Sequence, residues 1–140
     1  MLITSINLWG VFLSGIVAMI IGSFWYSPLL FGKKWMELVG MRPENMEVAK
    51  AKAKKSYTIS FVGALIMAYV LALVIDNFFI IHLHYALLAG FLMWLGFVVT
   101  TTISEYLFIP TPKPWMLYIL NNSYHLVVLL MMSVILYFFK

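Results

Sequence analysis

The sequence predicts an all-α polytopic membrane protein: a single domain over residues 1–140, built as a four-transmembrane-helix bundle with a cytoplasmic interfacial or helical loop between helices 1 and 2. Three observations lead there. Apolar residues make up 64% of the 140 and charged ones 10%, with mean hydropathy +1.01, whereas soluble domains run at about half apolar and a quarter charged. Charge is missing from four runs, 1–32, 56–75, 77–104 and 114–139, each long enough to cross about 30 Å of hydrocarbon, which takes roughly 20 apolar residues. The charges that remain crowd into one connection. A chain this small leaves much of its surface outside, and so few charges leave lipid to cover it. That composition excludes a soluble enzyme and a disordered chain, and the lack of cysteine excludes a disulfide frame or a thiolate metal site.

The spans are expected at 5–26, 57–77, 84–108 and 114–138. No basic residue precedes the first, its apolar stretch is too long, and no small-residue cleavage site follows, so it is expected to stay in the mature chain rather than act as a signal peptide. Asn7 suits a cap or an interhelical bridge at its start. Segment 31–55 holds Lys33, Lys34, Arg42, Lys50, Lys52, Lys54 and Lys55 against Glu37, Glu44 and Glu47, which equals the whole net charge of +4. Basic residues beside spans stay in the cytoplasm. The expected location is therefore a cell membrane, with loop 31–55 and the 109–113 turn inside and both termini outside. Pro43 suits a first helical turn, with Glu44 and Glu47 early and Lys50, Lys54 and Lys55 late, as the helix dipole prefers. No proline interrupts 44–77, so the second span is expected to begin as a solvated helix and run on into the bilayer. Asp76 and Asn77 end it. Between the third and fourth spans, Pro110, Pro112 and Pro114 alternate, which forbids helix and favours a stiff extended link.

Basic loops raise nucleic acid as a partner, but these lysines lie a few residues from lipid-embedded helices. Attraction to anionic headgroups at the cytoplasmic face, about 1 kcal/mol per cation, explains them more simply. Nucleic acid is not expected as a partner.

Around the end of the first span runs Trp25-Tyr26-Ser27-Pro28-Leu29-Leu30-Phe31-Gly32-Lys33-Lys34-Trp35. Trp25, Tyr26 and Trp35 are aromatics suited to a headgroup boundary, Pro28 ends the helix, and Lys33 and Lys34 reach phosphates. Two readings stand: an interfacial anchor lying in the membrane plane, or a specific lipid-headgroup or partner site. This stretch, with the chain length, the four-span layout and the polar fourth helix, resembles a family of small bacterial four-helix membrane proteins known as a domain of unknown function. The resemblance implies the architecture and no activity.

Helices in lipid associate through small residues and shared polar groups. Gly10, Ser14, Ala18 and Gly22 recur every fourth position on the first span, as do Ser60, Ala64, Ala68 and Ala72 on the second. These rows are expected to pack closely in right-handed crossings, with each other or across a subunit interface. On the fourth span Tyr118, Asn121, Asn122 and His125 share one face. Thr101 and Glu105 share a stripe on the third. Depth along the helices favours Glu105 meeting Tyr118 or Asn121, and Thr101, Asn121, Asn122 and His125 forming a deeper cluster. Such a cluster is either hydrogen-bonded glue or a proton or solute site, because ionisable groups inside membranes are functional candidates.

The expected function is that of a membrane protein acting through packing or partner interaction, as a homo-oligomer. The alternative is a small proton- or solute-conducting transporter or channel along the polar face of helices 3 and 4. An enzyme is not expected, since no nucleophile adjoins the midplane histidine and no phosphate loop or metal constellation is present. The two histidines His82 and His84 lack a third ligand, and no cofactor or metal is expected.

Overall fold

The computed structural model describes residues 5–108 and 114–140. Over them the chain is all-helical: α1 (Leu8–Trp25), α2 (Gly32–Leu38), α3 (Pro43–Asn77), α4 (Leu83–Leu107) and α5 (Trp115–Phe138). Helices α1, α3, α4 and α5 are each long and apolar enough to cross a membrane. They match the four charge-free runs because buried backbone amides in hydrocarbon leave helix as the only open option.

The ends follow local chemistry. Asn7 caps α1, its side chain accepting from the Trp9 amide at 3.1 Å. Pro43 occupies the first turn of α3, where its missing N–H costs nothing, and Glu44 follows it. With no proline to stop it, α3 runs unbroken for 35 residues. At about 1.5 Å per residue it is about 50 Å long, well beyond the bilayer core. It ends at Asn77, whose amide donates to the Leu73 carbonyl at 2.8 Å, and Phe79 turns the chain at a positive φ of 50°. The proline link at 109–113, including Pro110, Pro112 and Lys113, lies outside the described residues; Pro114 sits extended ahead of α5.

The spans run antiparallel. At one end the Tyr137 hydroxyl donates to the Ile81 carbonyl at 3.0 Å and the Lys140 ammonium to that of Ile80, so the C-terminus sits beside the α3–α4 turn. The start of α1 joins them, with Gly10 against Phe139. Here the core is dense: Ala68, Leu71, Ala72 and Ile75 of α3, Ala86 of α4, and Val128, Leu129, Met132 and Leu136 of α5 are buried together. A side chain at Gly90 would overlap the Ser133 hydroxyl and lie 3.0 Å from the Leu129 carbonyl, so α4 meets α5 almost backbone to backbone.

As expected, α1 and α3 pack closely on each other, but the ends of the α1 small-residue row do not make that contact. A Cβ at Gly10 would lie 2.7 Å from that of Phe139, the C-cap of α5, and one at Gly22 would lie 3.1 Å from the Tyr124 hydroxyl on α5. It is Gly15, off the row, that faces Leu65 and Phe61 of α3, at 2.7 and 3.1 Å. The ends of the α1 row therefore accommodate bulky aromatics of α5 and its C-cap, and α1 seats on α3 through the neighbouring stripe. On α3, Ala64, Ala68 and Ala72 are buried as a row while Ser60 is exposed.

Candidate functional site

At the opposite end of the bundle, where α1 ends and the basic segment lies, the helices part around a cavity of about 860 Å³. One wall is the solvated start of α3, with Lys50, Ala53, Ser56 and Ser60. Facing it are Thr102, Glu105 and Tyr106 of α4 and Asn121, Asn122, Tyr124 and His125 of α5. The end of α1 contributes Tyr26, and α2 contributes Trp35 and Met36. The polar stripe of the fourth span thus lines a hollow rather than a dry helix contact.

Segment 25–35 reaches this hollow through a tight turn. Gly32 donates its amide to the Ser27 carbonyl at 2.8 Å, and Phe31 donates to that of Trp25 at 3.0 Å. A Cβ on Gly32 would collide with the Tyr26 carbonyl and lie 2.6 Å from the Ser27 carbonyl. Only glycine lets the chain double back there. The turn folds α2 against α5 and sets the Trp35 ring edge to face with Tyr26 at 5.7 Å, and Tyr26 in turn edge to face with Tyr124 at 5.3 Å. The Tyr26 hydroxyl donates to Asn121 Oδ1 at 3.0 Å, across 95 residues of sequence. Trp25 packs between Phe31 and Tyr124, at 4.7 and 6.3 Å. Trp25, Tyr26 and Trp35 therefore face the bundle, which corrects the picture of a segment that only lies in the membrane plane. Lys33 and Lys34 stay exposed, Lys34 paired with Glu37 at 3.3 Å, and Pro28 sits within the turn.

Of the deeper polar cluster expected from Thr101, Asn121, Asn122 and His125, only Asn122 takes part in the hydrogen bonds that form it, and Thr102 stands where Thr101 was expected. Asn122, buried, accepts from the Thr102 hydroxyl at 3.2 Å and donates to the Tyr118 carbonyl at 3.0 Å. Its own carbonyl accepts from the Trp94 indole at 2.8 Å. Thr101 is exposed and donates to the Phe97 carbonyl within its own helix. The reason is a π-helical segment in α4, Trp94–Val99. A π-turn carries an extra residue and rotates everything after it by about a quarter turn, so Thr102 takes the facing position.

Glu105 meets neither Tyr118 nor Asn121. The Tyr118 hydroxyl donates instead to the carbonyl of Val99, the last residue of the π-helical segment, at 2.8 Å. Asn121 is held by Tyr26 and lies within reach of Tyr106. Glu105 is exposed on the cavity wall. His125 lines the floor beside the Tyr124 ring, at 5.0 Å between centroids, and is not part of the Asn122 hydrogen bonds. Of the six residues singled out on the third and fourth spans, four line one cavity: Glu105, Asn121, Asn122 and His125. Thr101 and Tyr118 are not in its lining, though the Tyr118 ring packs edge to face against that of Tyr106 at 5.0 Å.

Sequence reasoning missed Trp94, Thr102, Tyr124 and Lys50. Tyr124 carried a signal, since it lies two to three residues from both Asn121 and Asn122 on an already polar helix. Trp94 and Thr102 carried none, because nothing in the apolar run Trp94–Val99 announces a π-turn.

No curated protein and no solved structure matches the chain. Residues 9–137 match the family described as "Protein of unknown function (DUF1761)", a stretch that spans all four crossings and both walls of the cavity, and the chain belongs to that family.

Proposed function

We propose that this chain is an integral membrane protein that takes a polar group into the cavity from its basic end, as a carrier or binding protein rather than an enzyme. One observation carries this: a hollow of about 860 Å³, with Glu105, Asn121, Asn122 and His125 on its walls, in a helix bundle whose core is otherwise mostly apolar. Ligand sites are usually hollows of about 300–1,000 Å³ with a few convergent polar groups, and hydrogen-bonding glue needs no such space. The charge of segment 31–55 supports placing that end in the cytoplasm, with both termini outside, in a cell membrane.

The test exploits the lack of native cysteine. Single cysteines at Ala53 and Phe79 in sealed vesicles are expected to react with a charged thiol reagent from opposite sides, and Ser60→Cys from the Ala53 side alone. A Ser60→Cys protein unreactive from either side removes the cavity as a water-reached site.

Self-association is a second reading, favoured by the third crossing. Only 11% of its most apolar stretch is buried within the chain, against 39% for the fourth, and Gly96 faces open space. Gly96→Cys is expected to form disulfide-linked dimers on mild oxidation, and its failure to do so under membrane-like concentration counts against a subunit contact there.

A further inference from the structure

We propose that the cavity holds the headgroup of a zwitterionic lipid, with an acyl chain laid in an adjoining groove. This rests on reading the cavity as a binding site and names the ligand. Its first support is charge. Lys50 on α3 and Glu105 on α4 are the lysine and the carboxylate of the lining, they come from opposing walls, and neither forms an ion pair among the described residues. A ligand with one charge would leave either an ammonium facing Lys50 or a phosphate facing Glu105. A headgroup with an ammonium and a phosphate a few atoms apart satisfies both, and Trp35, Tyr57 and Tyr106 in the lining put aromatic rings in the same cavity as a further partner for an ammonium.

The second support is a groove of about 320 Å³ lined by Ile16, Met19, Ile20, Ser23, Phe24 and Phe61. It shares Met19 and Ser23 with the cavity. The Ser23 hydroxyl turns back onto the Met19 carbonyl at 2.9 Å, so the passage between the two hollows presents little unsatisfied polarity. From Ser23 to Ile16 the groove follows α1 away from the basic end for about 10 Å at roughly 1.5 Å per residue. That is the direction taken by the chains of a leaflet whose headgroups lie at the basic end. A water-soluble zwitterion has no use for this groove, which decides for a lipid.

The experiment is calorimetric titration of the full chain in non-ionic detergent with four probes: lysophosphatidylethanolamine, lysophosphatidic acid, dodecyltrimethylammonium and glycerophosphoethanolamine. The first carries both charges and a chain, and each of the others lacks one element. Lysophosphatidylethanolamine is expected to bind about tenfold tighter than any of the others, the usual worth of one charged contact or a partly buried chain. Lys50→Gln and Glu105→Gln, both exposed and so without consequence for folding, are each expected to weaken it about tenfold. Ile20→Trp, which fills the groove, is expected to weaken the lysolipid and leave glycerophosphoethanolamine unchanged. Equal binding of lysophosphatidic acid, or indifference to both charge variants, overturns the zwitterion. Equal binding of glycerophosphoethanolamine overturns the lipid in favour of a free solute. If Ser60→Cys is reactive but the lysolipid does not bind, this inference falls and the water-reached cavity stands; if Ser60→Cys is unreactive, both fall.

Discussion

The two ends of the bundle are built from the same four helices and solve opposite problems. At the end holding the termini, α3 presents Ala68, Leu71, Ala72 and Ile75, α4 presents Ala86 and Gly90, and α5 fills the space with Val128, Leu129, Met132 and Leu136. At the basic end α3 carries Lys50, Ala53, Ser56 and Ser60, α4 carries Glu105, and α5 carries Asn121 and His125, and the space between them stays open. The difference shows that small residues alone do not bring helices together. Ala68 is buried where large apolar partners close on it, whereas Ser60, two turns earlier in the same row, faces a hollow. Without a hydrophobic drive between helices in lipid, shape complementarity decides which end closes.

Three substitutions sharpen that contrast. Gly90→Leu attacks the closed end, where even a Cβ overlaps the Ser133 hydroxyl. It is expected to cost about 1–3 kcal/mol, the range for overpacked cores, read as lost thermal stability in detergent. Tyr26→Phe removes the bond from the 25–35 turn to Asn121 and is expected to cost about 0.6 kcal/mol, the average for hydrogen bonds between membrane helices. A loss as large as that of Gly90→Leu would show that the turn, and not the core, holds the fold. Ser60→Trp inserts a large ring into the open end and is expected to leave stability within about 0.5 kcal/mol of the parent. A destabilisation comparable to that at Gly90 would mean the hollow is closed.

Much of this was legible from residues alone. The four crossings follow from runs without charge, the unbroken α3 from the lack of proline after Pro43, and the α1 cap from Asn7. The polar face of the fourth span was visible in the spacing of Asn121, Asn122 and His125. What lay opposite that face was not. The π-turn in α4 leaves no mark in composition, yet it exchanges Thr101 for Thr102 and draws the Tyr118 hydroxyl to Val99. The fold-back at Gly32 depends on a steric contact with the Tyr26 carbonyl that spacing does not reveal, and it makes one site of a turn and a helix 95 residues apart.

The most direct test compares two positions on one helix. Ser60 and Ala68 lie about 12 Å apart along α3, at roughly 1.5 Å per residue. Single cysteines there, in the otherwise cysteine-free chain, can be timed against the same charged thiol reagent in membranes. The expected result is rapid reaction at Ser60→Cys and protection at Ala68→Cys; equal protection of both, in protein that remains folded, would contradict an open, water-reached basic end.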